Sequence, residues 1–144
     1  MNQLGSRTRP YALKAGEGWT YRIGIDFTVK AGEVQAGSGS TILEYVTRKG
    51  EEPEDHTHPT EDEMFYVLEG AITFRCGEES FDLEQGGFIF LPCGLQHGYT
   101  IRSADPVRLL VVTAPVREGT SGGWGGFVAD IESGQGELVT KPKD

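Results

Sequence analysis

One stretch of the chain, residues 50–70, reads Gly50-Glu51-Glu52-Pro53-Glu54-Asp55-His56-Thr57-His58-Pro59-Thr60-Glu61-Asp62-Glu63-Met64-Phe65-Tyr66-Val67-Leu68-Glu69-Gly70. It contains two of the three histidines among the 144 residues. The third, His97, ends a second stretch, Gly86-Gly87-Phe88-Ile89-Phe90-Leu91-Pro92-Cys93-Gly94-Leu95-Gln96-His97. Because the chain uses histidine nowhere else, we interpret all three as placed for coordination rather than for packing.

The spacing of these residues predicts a metal site. On a strand, His56 and His58 would project from one face, about 7 Å apart along the backbone. Glu63 has the wrong parity to share that face on one continuous strand, so residues 59–62 must turn or bulge. With His97 brought in from the second stretch, three imidazoles and one carboxylate suit Fe(II), Mn, Co, Ni, Cu(II) or Zn.

Each feature taken alone also has a plainer interpretation. A single His-x-His pair is more often a surface or structural feature than a metal site. Glu63 alone resembles a solvated carboxylate beside Glu61 and Asp62. The combined pattern favours the metal site over these readings.

Composition excludes several classes of partner. The net charge is −9, and no run of lysine or arginine is present, so nucleic-acid and membrane binding are not expected. The segment Met1–Arg7 lacks the apolar core of a signal peptide, and no apolar stretch is long enough to span a bilayer. We interpret Cys76 and Cys93 as thiols in a reducing compartment, and therefore expect a cytoplasmic protein.

Alternation of apolar and polar residues predicts an all-β domain. It is clearest over Trp19–Lys30, which we interpret as one period-2 segment with a buried face and a solvated face. No stretch carries an apolar stripe of helical length. Further strands are predicted over Thr41–Arg48, Met64–Leu68, Ala71–Cys76, Phe81–Leu83, Phe88–Leu91, Tyr99–Arg102 and Val107–Thr113.

The residues after the predicted barrel are less regular. The apolar side chains Trp124, Phe127, Val128 and Ile131 predict that this tail docks against the barrel or against a partner subunit. Thr140–Asp144 is predicted to be a frayed end.

Both quoted stretches resemble the two cupin motifs. The first matches Gly50-(five residues)-His56-x-His58-(four)-Glu63-(six)-Gly70, and the second matches Gly86-(five)-Pro92-x-Gly94-(two)-His97. The 15 residues between Gly70 and Gly86 resemble the short spacing of small bacterial cupins. The second motif often continues to an asparagine where this chain has Ile101; that asparagine is not a ligand.

The segment 62–74 further resembles the quercetin-dioxygenase-like group of single-domain cupins. The resemblance implies a double-stranded β-helix, or jelly roll, with a metal inside the barrel. We therefore expect one cupin domain over 1–144, with its barrel at about 19–115, an N-terminal arm over 1–18 and a C-terminal tail over 116–144.

By this resemblance His56, His58, Glu63 and His97 would bind the ion, and Glu63 would also act as general base. The implied activity is an oxygenase that acts on a small enol, phenol or hydroxyketone. We expect Phe65 and Tyr99 to contact the substrate, although Tyr99 is also explained as a packing residue of the barrel.

Two other classes of function remain open: a non-redox metalloenzyme (lyase, isomerase or cyclase), and a small-molecule-binding cupin without turnover. Some small cupin lyases carry an inward tyrosine base just after the metal glutamate. Here parity places Phe65 inward and Tyr66 outward, which disfavours a lyase.

Three further expectations concern single residues and assembly. Cys93 is either a reactive thiol at the pocket mouth or a small turn residue. Arg75 and Arg108 either meet an anionic substrate or lie on solvated strand faces. Small cupins often dimerise through sheet faces or an exchanged N-terminal strand, so we expect a homodimer.

Overall fold

The computed structural model describes residues 9–116, 124, 128, 131 and 133–143. Its regular elements are β1 (Trp19–Ile23), β2 (Ile25–Ala31), α1 (Glu33–Ala36), β3 (Thr41–Thr47), β4 (Glu61–Glu69), β5 (Ala71–Cys76), β6 (Glu79–Glu84), β7 (Phe88–Leu91), β8 (His97–Ile101), β9 (Val107–Pro115) and β10 (Glu137–Thr140). No helix among these residues is long and apolar enough to cross a membrane.

The strands form two sheets that face each other. The larger sheet has the order β10-β1-β2-β3-β9-β4-β7, and the smaller has the order β6-β5-β8. Neighbouring strands are antiparallel throughout. This is the jelly-roll arrangement, and it confirms the predicted all-β fold.

Side-chain alternation explains why these segments are strands. On β9, Val107, Leu109 and Val111 are fully buried, while the residues between them are more exposed. Phe65 on β4 and Phe74 on β5 meet across the two sheets with ring centroids 5.1 Å apart. The apolar core therefore fills the space between the two sheets.

The predicted single segment Trp19–Lys30 is wrong in one respect. It folds back at Gly24, whose φ is +79°, and forms the β1–β2 hairpin. Ile23 pairs with Ile25 across this turn, and Ile25 is exposed. The alternation hides the turn because Ile23 and Ile25, on either side of Gly24, are paired and lie on the same face of the hairpin. The apolar residues therefore keep odd numbers through the turn.

The sequence also missed two elements. Strand β10 pairs with β1, with Thr140 opposite Thr20, so the predicted frayed end begins one residue too early. The four-residue helix α1 buries none of its side chains and therefore carries no apolar stripe to detect.

The tail docks against the barrel, as predicted. Trp124, Val128 and Ile131 are helical and buried. The indole ring of Trp124 lies 5.0 Å from the rings of both Phe27 and Tyr45. Phe127, which was predicted to join this contact, lies outside the described residues.

Two glycines of the first motif differ in their surroundings and allow a matched test. Both have left-handed φ, +98° at Gly70 and +95° at Gly50. A Cβ at Gly70 would lie 2.7 Å from Val107 Cγ2, whereas a Cβ at Gly50 would meet nothing within 4 Å. We expect Gly50→Ala to lower the free energy of unfolding by about 1–2 kcal/mol through backbone strain.

Gly70→Ala should lower the free energy of unfolding by roughly 1–3 kcal/mol more than Gly50→Ala does, because its Cβ would clash with buried Val107. Urea denaturation of the two variants measures the difference directly. Equal losses in both variants would contradict the close packing of Gly70 against β9.

Candidate metal centre

Three segments supply the four side chains of the predicted site. His97 begins β8, and its backbone exchanges two hydrogen bonds with His56, at 2.9 and 2.8 Å. Glu63 is the third residue of β4, and His58 lies in the connection that precedes this strand. His56 makes only this isolated bridge and His58 lies outside any strand, so the two histidines do not share a regular strand.

The predicted break before Glu63 is present, because the chain bends at Pro59 and Thr60 and β4 begins at Glu61. This bend brings the carboxylate back over the imidazoles. One ligating atom from each of His56, His58, Glu63 and His97 lies within 4.8 Å of the others. The three imidazole centroids are 4.7–5.1 Å apart.

One oxygen of Glu63 lies between two histidines. Its Oε1 is 3.2 Å from Nε2 of His97 and 3.4 Å from Nε2 of His58. Glu63 and His97 are both buried. Nε2 of His58 and both ring nitrogens of His97 are buried without a hydrogen-bond partner. Buried polar atoms rarely lack partners, so a bound ion would supply what the two Nε2 atoms lack.

The outer contacts of His56 and His58 favour coordination through Nε2. Nδ1 of His56 lies 2.8 Å from the carbonyl oxygen of Glu54. Since a carbonyl only accepts, Nδ1 must carry the proton, and the Nε2 lone pair of His56 is free for an ion. Nδ1 of His58 lies 3.6 Å from Oε1 of Glu61.

Glu61 and Trp124 are site residues that sequence reasoning missed. Glu61, which was predicted only as part of the turn at residues 59–62, is 3 % exposed; its parity with Glu63 on β4 was the available signal. The indole Nε1–H of Trp124 donates to Oε2 of Glu63 at 3.2 Å. The two residues are 61 positions apart, and no local pattern links them.

The carboxylates determine the charge state of the metal-free site. The nearby carboxylates of Glu61 and Glu63 favour the protonated imidazole and raise the pKa of His58 to about 9. Burial alone would raise the pKa of Glu63, but its contacts with His58 and His97 lower that pKa to about 2. Without a metal ion, the site would therefore pair a protonated His58 with an ionised Glu63 at neutral pH.

A cavity opens from the four side chains. Its volume is about 970 Å³, part of which lies outside the barrel, because the outward-facing Lys30 and Glu44 also line it. Its inner wall consists mainly of apolar and hydroxyl side chains, namely Tyr45, Thr47, Phe65, Phe74, Leu91, Tyr99 and Trp124. Such a chamber has the form of a small-molecule site.

Both predicted substrate residues line this cavity. Phe65 points inward and is buried, whereas Tyr66 is 43 % exposed, as the parity argument expects. The hydroxyl of Tyr99 lies 2.9 Å from that of Tyr45, and its ring packs 5.7 Å from Phe74. Tyr99 therefore lines the cavity and also packs in the core.

The cavity lining does not include Cys93, whose thiol donates to the carbonyl of Pro59 at 3.1 Å. This geometry favours the turn-residue interpretation. Arg75 also lies outside the lining and pairs with Asp55 at 2.8 Å. Arg108 borders the outer part of the cavity, 3.9 Å from Glu44.

The raised pKa of His58 predicts how metal-free stability depends on pH. Its folded-state pKa, about 9, exceeds the ordinary value of 6.5, so its stabilising effect is complete below pH 6.5 and is lost as the pH rises through 9. We expect chelator-treated protein to lose on the order of 1–2 kcal/mol of unfolding free energy over this range, allowing for solvent screening.

Urea unfolding at pH 6 and pH 9.5 measures this loss, with His58→Asn as the control that cannot titrate there. A loss of the same size in the Asn variant would show that another group is responsible.

Comparison with known proteins agrees with this architecture. The cupin domain model matches residues 43–113. Quercetin 2,3-dioxygenase of Bacillus subtilis is 27% identical over 104 residues, which are 72% of this chain and 31% of that enzyme. The tetracenomycin polyketide synthase protein TcmJ of Streptomyces glaucescens is 30% identical over 67 residues, 46% of this chain and 45% of that protein. The chain thus spans less than half the length of either relative.

Solved structures share the fold. TT1209 of Thermus thermophilus is 30% identical, with a TM-score of 0.52 over 80% of this chain and 96% of that one. A predicted oxalate decarboxylase of Thermotoga maritima is 13% identical, with a TM-score of 0.63 over 74% of this chain and all of that one. Together with the two sheets and the His/Glu cluster inside them, these matches show that the chain carries a cupin domain.

Proposed function

We propose that the protein is a metal-dependent oxygenase that acts on a small enolic or phenolic substrate. One divalent transition-metal ion, of Fe, Mn, Ni, Co, Cu or Zn, would be held by His56, His58, Glu63 and His97. The observation that carries the proposal is the convergence of four ligating atoms within 4.8 Å at the inner wall of a cavity. The donor set contains no thiolate and suits these ions alike.

An ion held by these four side chains would supply Lewis-acid or redox chemistry to a chelating substrate. The residues of the chain would then bind and orient that substrate. The rings of Phe65 and Phe74 provide an apolar wall, and the hydroxyls of Tyr45 and Tyr99 provide hydrogen bonds. Burial raises the pKa of both tyrosines, so they are neutral donors at physiological pH.

Glu63 is the proposed general base. Its Oε1 faces the imidazoles, and its Oε2 accepts the indole N–H of Trp124. A carboxylate oxygen has two lone pairs, so Oε2 keeps one for the proton of a substrate hydroxyl. The substrate proton and the indole would then share one oxygen.

Two observations favour an oxygenase over a lyase. The inward position just after Glu63 holds Phe65, which cannot act as a base, and Tyr66 faces outward. The similarity to an enzyme named for dioxygen chemistry on quercetin, a polyphenol, supports the same choice. A non-redox metalloenzyme remains the second candidate because the Tyr45–Tyr99 hydroxyl pair could serve as a proton donor in the cavity.

We also propose a cytoplasmic homodimer. Both cysteines are free thiols, which suits a reducing compartment. The outer face at the β7 edge of the large sheet exposes Phe88, Phe90 and Tyr66 by 56, 49 and 43 %. An uncharged apolar face of this kind is complementary to a second copy of itself about a two-fold axis.

Metal analysis tests the proposed ligand set. We expect protein purified without added ions or a chelating tag to contain, or to accept on loading, one ion per chain, measured by plasma mass spectrometry. His97→Ala should lower the metal affinity by at least about 100-fold. The exposed neighbour substitution Gln96→Ala should leave it unchanged. Substoichiometric metal under every loading condition would refute the proposal.

Oxygen uptake tests the reaction class. With a panel of flavonols and enediols, the loaded protein should consume oxygen in proportion to the substrate lost. At saturating metal, Glu63→Ala should slow this reaction by about 100-fold or more through loss of the base. Glu84→Ala, which removes an exposed carboxylate, serves as the control. Substrate loss without oxygen uptake would favour the non-redox candidate instead.

Light scattering tests the homodimer. We expect a mass twice the 15.7 kDa of one chain. Phe90→Lys should shift the protein to monomer, because a charge would be buried at the interface. Phe81→Lys, which changes an exposed phenylalanine of the smaller sheet, should not. A monomeric mass for the unmodified protein would contradict the proposed assembly.

A further inference from the structure

We propose that Trp124 is a positioning residue of the metal site, which holds Glu63 in a one-oxygen binding mode and so couples ion binding to docking of the tail. The inference rests on the proposed metal site. It starts from the indole N–H, which donates to Oε2 of Glu63 at 3.2 Å, with both residues buried. Trp124 lies outside residues 43–113, so neither motif contains it.

The hydrogen bond divides the carboxylate into two oxygens with different partners. Oε1 faces Nε2 of His58 and of His97, where an ion would lie, while Oε2 faces the indole. Without the indole N–H, Oε2 would be a buried carboxylate oxygen with no donor among the described residues, which is costly. The carboxylate would then rotate to satisfy Oε2 elsewhere, including at the ion itself.

The indole suits this role because it can only donate. Its N–H has no lone pair for an ion and accepts no proton, so Trp124 cannot replace Glu63 as ligand or base. The bond joins two buried side chains at 3.2 Å, and the oxygen that it engages is not the one that faces the two histidines. Trp124 therefore fixes the direction of a ligand without taking part in coordination.

The surroundings of the indole fix its position. Its ring lies 5.0 Å from the rings of Phe27 and Tyr45, on neighbouring strands of the large sheet. Val128 and Ile131 follow at helical spacing and are also buried. The hydrogen bond to the site is therefore available only when this part of the tail is docked.

Coupling follows from this geometry. If the docked tail holds Glu63 ready for the ion, the docked form binds the ion more tightly than the undocked form does. By linkage, the ion then stabilises docking by the same factor. Interactions that orient metal ligands typically change affinity by about 10–100-fold, which sets the size of the expected effect.

Cobalt binding to the Trp124→Phe variant tests the proposal. The substitution keeps an aromatic ring against Phe27 and Tyr45 but removes the N–H. We expect Co²⁺ affinity to fall by about 10–100-fold, with a changed visible absorption spectrum because the carboxylate binds differently. Val128→Ala is the matched control: it loosens docking but keeps the N–H, so it should lower affinity less and leave the spectrum of the bound ion unchanged.

A second measurement keeps Trp124 in place, so it does not depend on the folding of the Trp124→Phe variant. The chain has two tryptophans, so Trp19→Phe leaves Trp124 as the only indole. Its N–H resonance should be slow to exchange with solvent and should shift on addition of one equivalent of Zn²⁺.

The outcomes separate this inference from the proposed function. Failure of the unmodified protein to bind Co²⁺ or Zn²⁺ would remove the metal site itself. Unchanged cobalt affinity and spectrum in Trp124→Phe, or an indole resonance that does not respond to Zn²⁺, would overturn the positioning role while leaving the site intact.

Discussion

The site depends on the pairing of His56 with His97. Two reciprocal backbone hydrogen bonds, 2.9 and 2.8 Å long, join the connection before β4 to the first residue of β8. The two segments belong to different parts of the chain, and the larger sheet supplies Glu63 from β4. Together with the hydrogen bond from the Gly94 N–H to the carbonyl oxygen of His58, at 2.9 Å, this bridge holds the histidines of one motif against the histidine of the other.

The polar atoms of the site also depend on groups that are not candidate ligands. The Glu54 carbonyl fixes the tautomer of His56, Glu61 lies beside the outer nitrogen of His58, and Trp124 takes the second oxygen of Glu63. Nε2 of His58 and of His97 are buried without a hydrogen-bond partner, and Oε1 of Glu61 and Nδ1 of His97 also lack one. The two Nε2 atoms both lie beside Oε1 of Glu63, where one ion could bind them together.

The fold and the four site residues could be predicted from the sequence because apolar alternation and motif spacing are short-range patterns. Apolar alternation located β3 and β5 to within a residue, and motif spacing brought Glu63 to the histidines. The β1–β2 turn was missed because Gly24 leaves the alternation intact on both sides. The contact of Trp124 with the site was missed, although its docking was predicted. Its bond to Glu63 spans 61 residues, a distance at which only tertiary packing decides which side chains meet.

The central claim is that three imidazoles and one carboxylate bind a single ion. X-ray absorption at the metal edge of cobalt- or nickel-loaded protein tests it most directly. The account predicts the outer-shell scattering of three imidazole rings, with all nearest neighbours nitrogen or oxygen. A sulfur neighbour at about 2.3 Å, the distance typical of a thiolate bound to a metal such as zinc, or a spectrum without imidazole scattering, would contradict it.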